Sequence, residues 1–193
     1  PKNKGGLGIL NLTIQNQGLL LKHLHKFYNK QQVPWVQLIW DSYYDGVVPH
    51  ATVLTGSFWW KDILKLAEHY LSIASVHINM GDSALFWLDA WHVGGSSRPL
   101  NIRLPRLFSF VLDDKVSVRD FIQNQDLFSM FHLPISQEAT AELEILEGWL
   151  FNLQRDPTLP DVCIWPRKSG QFSAKSFYDI MHTHLPTIQP CKW

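Results

Sequence analysis

The sequence is poor in cysteine and has no long apolar run. Cys163 and Cys191 are its two cysteines among 193 residues, too few for a disulfide framework or for a zinc site with four cysteine ligands. No apolar run approaches the roughly 18 residues that a membrane-spanning helix needs, so we expect no membrane partner. The chain opens on Pro1 without an initiator methionine or a signal peptide, and we expect it to be an excerpt from a longer protein.

The first 40 residues lack acidic side chains and arginine but hold five lysines. The remaining residues carry 12 basic and 17 acidic side chains, so the overall charge of zero hides a basic N-terminal segment ahead of a body with net charge −5. Unpaired ammonium groups can bind phosphates with a salt-dependent affinity, and a solvated helix surface is the equally weighted alternative. The candidate nucleic-acid-binding residues are Lys2, Lys4, Lys22, Lys26 and Lys30.

The aromatic content is high. Nine Trp and 11 Phe accompany 46% apolar and 18% charged residues, a composition that supports a large buried core and excludes a disordered chain. We expect some of these bulky side chains to face partners outside the chain.

Helical periodicity dominates the chain. It predicts a helix over about 13–30, capped by Asn11 or Thr13, and a second helix that starts at Pro34 and turns Trp35, Leu38 and Ile39 inward. Residues 46–56 are predicted to be a loop. Four serines are predicted to cap further helices, which begin after Ser57 (continuing to Leu71), Ser117, Ser136 (continuing to about Leu153) and Ser173.

Two short β-hairpins complete the predicted fold, at about 76–88 and 161–173. In the first, Trp87 and Trp91 are expected to pack inside, and Asp89 between them to accept an indole N–H hydrogen bond. The fold class is therefore α+β, mainly helical, with helices packed on two small hairpins.

No convincing catalytic or metal site is found. The Gly5–Gly8 segment lacks the spacing of a phosphate-binding loop, and Asp113-Asp114 is best interpreted as a solvated turn because a third carboxylate is missing. His182, His184 and Cys191 are too few for a complete zinc site within the chain. Nucleophile and base motifs are also absent, so we predict no catalytic residue, no metal ligand and no cofactor.

Three stretches, in order, resemble one family. Residues 1–12 (PKNKGGLGILNL) and 15–22 (QNQGLLLK) look like the segment that follows the reverse transcriptase domain of plant LINE-type (non-LTR) retrotransposons. Residues 78–91 (INMGDSALFWLDAW) are similar to that family's G-[DN]-G-x-x-x-x-F-W-x-D-x-W stretch, with Ser83 in place of the second glycine. Asp161-x-x-x-Trp165 with 170–178 (GQFSAKSFY) resembles the start of its zinc-binding domain.

The resemblance implies a basic post-polymerase, thumb-like segment at 1–33, a helical connector at 34–160 and the truncated start of the zinc-binding domain at 161–193. The parent would be an RNA-directed DNA polymerase whose catalytic aspartates precede residue 1 and whose zinc ligands follow Trp193. Magnesium and zinc would therefore belong to other parts of the parent, and we expect this chain to be inactive alone. Implied partners are the flanking domains of the same polyprotein, the RNA template and the DNA primer, with an intracellular, nuclear location.

Two further interpretations stay open. The chain could be a structural or protein-interaction remnant of a degenerate element that uses exposed aromatic residues and binds no nucleic acid. An independent hydrolase or metalloenzyme ranks last, because the sequence offers no constellation for it.

Overall fold

The computed structural model describes residues 11–45, 47–49, 54–124, 126–166 and 170–182. Within these ranges the chain is about half helical and has one small antiparallel sheet, which confirms the α+β, mainly helical class. None of the helices in these ranges is both long and apolar enough to cross a membrane. The elements are α1 (Leu12–Tyr28), α2 (Pro34–Tyr43), α3 (Phe58–Leu64), α4 (Ala67–Leu71), β1 (Ser75–His77), α5 (Leu100–Arg103), α6 (Pro105–Phe108), α7 (Val118–Gln123), a 3₁₀-helix (Leu127–Met130), α8 (Gln137–Phe151), β2 (Val162–Ile164) and α9 (Ala174–Met181).

The predicted helix caps are confirmed. The Asn11 side chain accepts hydrogen bonds from the N–H groups of Thr13 and Ile14, which have no carbonyl partner within the helix. Each capping serine accepts from the N–H group three residues further on, and Pro34 occupies the first turn of α2. The four serines are Ser57, Ser117, Ser136 and Ser173.

Two helix predictions need correction. The helix predicted for 58–71 is interrupted: Leu66 N–H donates to the Ile63 carbonyl, three residues back, and α4 starts anew at Ala67. In α2 the buried residues are Val36, Ile39 and Trp40, at the i, i+3, i+4 positions of one face. Leu38 lies off that face and is 66% exposed, so the prediction that it turns inward was wrong.

Within the described residues, neither predicted hairpin has two paired strands. Instead, β1 from the first predicted hairpin pairs antiparallel with β2 from the second, in the register Ser75↔Ile164, Val76↔Cys163, His77↔Val162. Residues 84–88 form no strand, because the chain after β1 curls around the carboxylate of Asp161, the residue that directly precedes β2. In the second predicted hairpin, Gln171 and Phe172 are outside any strand, although Trp165 N–H donates to the Gly170 carbonyl at 2.9 Å; residues 167–169 lie outside the described residues.

One apolar core joins α1 to most of the other elements. α1 packs against α9, α3, α4 and β2, and α8 packs against α6. Most of the tryptophans serve this core rather than a surface, because Trp40, Trp60, Trp87, Trp91 and Trp165 are all buried. The expectation that Trp87 and Trp91 pack inside is thus confirmed, although the hairpin proposed for them is not.

Candidate nucleic-acid interface

Asp161 ties two of the three family-like stretches together. Its buried carboxylate accepts hydrogen bonds from the backbone N–H groups of Asn79 (2.7 Å), Gly81 (2.8 Å) and Ser83 (3.1 Å) and from the Ser83 hydroxyl (2.8 Å). Gly81 has φ +84°, and a Cβ there would lie 2.8 Å from the Arg119 nitrogen, so the loop depends on glycine at this position. The loop 79–83 is therefore shaped around one carboxylate.

Gly18 lies in the first family-like stretch and packs against the third. A Cβ on Gly18 would lie 3.2 Å from both the Ala174 carbonyl oxygen and Phe177 Cδ1, so its absence lets α1 and α9 approach closely. The N–H of Asn11 also donates to the Tyr178 hydroxyl at 2.9 Å. The described parts of the three stretches consequently meet in one folded unit.

Asp89 is a buried carboxylate with a structural partner. It accepts a hydrogen bond from Leu85 N–H at 2.7 Å, and burial raises its pKa to about 6. The predicted indole partner was wrong: Trp91 Nε1 donates to the Phe86 carbonyl, and Trp87 Nε1 has no partner among the described residues. Asp89 thus closes a local turn.

Lys22 and Lys26 form a ridge along α1, which we call the lysine ridge. Lys22 is exposed and Lys26 half-buried, and their i, i+4 spacing places both ammonium groups on one side of the helix. Neither has a carboxylate within ion-pair distance in the described part of the chain. Two uncompensated positive charges therefore stand side by side at the surface.

A groove of about 670 Å³ runs beside the lysine ridge. α1 forms one wall, and β2 with residues 170–172 forms the other. The two walls are tied together, because the Asn29 side chain accepts from Cys163 N–H at 3.0 Å while donating to the His25 carbonyl at 2.8 Å. No acidic residue lines the groove among the described residues, which are Lys22, His25, Lys26, Asn29, Gln31, Val162, Cys163, Ile164, Gly170, Gln171 and Phe172.

Burial shifts the pKa values of His25 and Cys163, the two groove residues that can titrate near neutral pH, in opposite directions. Burial lowers the pKa of His25, whose Nδ1 lies 2.8 Å from the Tyr70 hydroxyl. Burial raises the pKa of the Cys163 thiol to about 12, so the reactive thiolate is not populated near neutral pH. The described part of the groove therefore presents two ammonium groups beside a neutral imidazole and a protonated thiol.

The remaining predicted lysines do not join the ridge. Lys30 Nζ lies 3.1 Å from the Asp82 carboxylate and 4.5 Å from the centre of the Trp40 ring, so its charge is already compensated. Lys2 and Lys4 lie outside the described residues. The sequence therefore identified the ridge but could not separate its two lysines from Lys30.

No metal site assembles among the residues with a described position, where no three His, Cys, Asp or Glu side chains come together. Asp113 caps a turn by accepting from Lys115 N–H, and both Asp113 and Asp114 are exposed, as predicted for a solvated turn. His182 Nδ1 contacts the Tyr178 carbonyl at 2.7 Å, whereas His184 and Cys191 lie outside the described ranges.

The second wall of the groove is the part that sequence reasoning missed. Its residues follow the lysine ridge by more than a hundred positions, and nothing local in the sequence links them to α1. Comparisons with protein-family models, with curated proteins and with solved structures give no significant match.

Proposed function

We propose that the chain is a non-catalytic connector from a plant LINE-type retrotransposon polyprotein, and that its lysine ridge contacts the phosphates of the RNA template and DNA primer. The observation that carries this proposal is the pair of unpaired lysines, Lys22 and Lys26, beside a groove without described acidic residues. The contacts that join the three family-like stretches support it further. Residue patterns that are far apart in the chain resemble one family together, and they also fold together.

In this proposal the three predicted segments have distinct origins: 1–33 continues the polymerase, 34–160 connects, and 161–193 begins the zinc-binding region. Catalysis, magnesium and zinc belong to the rest of the parent RNA-directed DNA polymerase. In this proposal the chain connects the flanking domains and supplies the positive charge of the lysine ridge. Its partners are the flanking domains and the template–primer.

A titration by fluorescence anisotropy with a blunt RNA–DNA hybrid tests the proposal. Two lysine–phosphate contacts should make the logarithm of the affinity fall with the logarithm of the salt concentration with a slope of about −2. The double variant Lys22→Glu/Lys26→Glu should bind at least about tenfold more weakly at low salt, because two attractions become repulsions.

The control is Arg106→Glu/Lys115→Glu, which changes the net charge by the same amount at two exposed residues that do not line the groove. We expect a much smaller effect from it. Equal weakening by both double variants would reduce the interaction to net charge, and the absence of binding at low salt would contradict the proposal outright.

The second candidate function is a protein-interaction or structural remnant without affinity for nucleic acid. It is favoured by exposed apolar side chains outside the groove, of which Phe151 at 91% and Phe58 at 83% exposure are the most accessible. This alternative predicts that the chain associates with a protein partner, that salt does not weaken this association, and that Phe151→Ser or Phe58→Ser reduces it. The titration with the RNA–DNA hybrid separates the two functions, because the alternative predicts no binding of the hybrid even at low salt.

A further inference from the structure

Three aromatic rings form a cluster on the side of α1 that faces α2 and α3. His23 packs edge-to-face against Trp35, with ring centres 5.6 Å apart, and against Trp59 at 5.4 Å. Trp35 and Trp59 also meet edge-to-face at 6.0 Å. We call these three residues the aromatic patch. Trp59 remains 47% exposed and His23 and Trp35 are half-buried, so the patch offers ring surface to a partner.

The aromatic patch is adjacent to the lysine ridge. His23 follows Lys22 directly and lies three residues before Lys26 on the same helix. The pKa of His23 is lowered by burial and further by the charges of Lys26 and Lys22, so its ring is neutral at physiological pH. The surface therefore combines two cationic groups with three uncharged aromatic rings.

This combination suits one occupant better than the others. Apolar side chains of a protein partner would cover the rings but would leave both ammonium groups without a counter-charge. A regular duplex offers phosphates to the lysines, yet its bases are stacked on one another and cannot reach the rings. An unpaired strand offers both, because its phosphates match the ridge and its free bases can stack on exposed indoles.

We infer that the aromatic patch stacks unpaired bases of a single-stranded nucleic acid whose phosphates lie on the lysine ridge. This inference rests on the proposed function and narrows its ligand from nucleic acid in general to an unpaired segment, such as template beyond the end of a hybrid. Binding is indifferent to base sequence, since every base has a π-face and the patch presents rings rather than base-reading amides.

The test compares three probes on the full 193-residue chain: the blunt hybrid, the hybrid with an unpaired template extension, and the hybrid with an abasic extension of equal length. The abasic extension keeps every phosphate and removes only the bases. We expect the base-bearing extension to bind about tenfold more tightly than the abasic one, in the range measured for base–aromatic stacking. Equal affinity for both extensions would overturn the inference.

Substitutions in the aromatic patch test whether its rings cause the tighter binding of the base-bearing extension. Trp59→Leu should remove most of the advantage of the base-bearing extension and leave the affinity for the abasic probe unchanged, whereas Trp59→Phe should retain much of it. Trp35→Leu provides a second variant should Trp59→Leu unfold, and Phe151→Leu is the control for an exposed aromatic outside the patch. The inference is wrong if Phe151→Leu acts like Trp59→Leu, or if Trp59→Leu weakens all probes alike.

Different outcomes overturn the stacking inference and the proposed function. If the blunt hybrid binds through Lys22 and Lys26 but the bases of the extension make no difference, only the stacking inference is overturned. If none of the probes binds at low salt, the proposed function fails as well.

Discussion

Replacing Asp161 should cost a large share of the stability of the protein. Asp161→Ala removes the acceptor of four hydrogen bonds, three of them from the backbone N–H groups of Asn79, Gly81 and Ser83. A buried donor left without a partner costs about 1–3 kcal/mol. Because water can enter the space left by the carboxylate and satisfy part of this demand, we expect a loss of about 4 kcal/mol. That is a large fraction of the 5–15 kcal/mol typical of a domain.

Asp161→Asn should cause a smaller loss of stability than Asp161→Ala. Its single carbonyl oxygen can keep the position of Oδ1, which serves Asn79 and Gly81, while its amide group then faces the two donors of Ser83. About half of the loss should remain, roughly 2 kcal/mol.

Urea unfolding followed by circular dichroism measures both losses, with Asp113→Ala as the control because Asp113 is exposed and caps only a local turn. The control should stay within about 0.5 kcal/mol of the original protein. The reasoning is refuted if Asp161→Ala also stays within that range. It is equally refuted if Asp161→Asn is as costly as Asp161→Ala, because the charge rather than the oxygen positions would then matter.

Two other predictions concern Asp89 and the contact between α1 and α9. Burial raises the pKa of Asp89 from 3.8 to about 6, so ionisation of this carboxyl group opposes folding. The stability that the protonated group contributes is fully present below about pH 4 and is lost as the pH rises through 6. Asp89→Asn should therefore gain about 2.5 kcal/mol relative to the original protein between pH 4 and pH 7.5, measured by urea unfolding at both values; parallel pH profiles would contradict this. Gly148→Ala in α8, where no described atom lies within 4 Å of the added methyl, should stabilise by about 0.8 kcal/mol through helix propensity. In Gly18→Ala the added methyl group would press against Ala174 and Phe177, so this variant should not be stabilised in the same way. An equal rise in the thermal unfolding temperature for both variants would show that α1 and α9 do not approach closely.

Local features of the fold could be predicted from the sequence because their causes are local. The Asn11 and Ser57 caps depend on one side chain and on N–H groups within three residues. The helix predicted for 58–71 is interrupted between Leu64 and Ala67, although the apolar side chains that its spacing placed inward are buried in both halves.

Strand pairing could not be predicted because its cause is distant. Asp161 acts on Asn79 across 82 residues and on Gly81 across 80, and this contact diverts the chain that would otherwise return as a hairpin. The alternation of apolar residues in 76–80 indicated a strand correctly at Val76, but it contained no information about the partner.

The candidate site was predictable in part for the same reason. Charge counting placed Lys22 and Lys26 in a basic segment, and helical spacing put them on one side of α1. The compensation of Lys30 by Asp82 spans 52 residues, and the groove wall formed by β2 depends on the fold. A neutral His23 between two indoles likewise required the positions of α2 and α3.

Chemical acetylation of lysines, read by mass spectrometry with and without an RNA–DNA hybrid that carries an unpaired template extension, tests the nucleic-acid interface most directly. Bound phosphates should protect Lys22 and Lys26 from acetylation, in a manner that added salt reverses. Lys115, which is exposed and lies outside the groove, should react equally in both conditions. Unchanged reactivity of Lys22 and Lys26, or protection of Lys115 to the same degree, would contradict a nucleic-acid interface on α1.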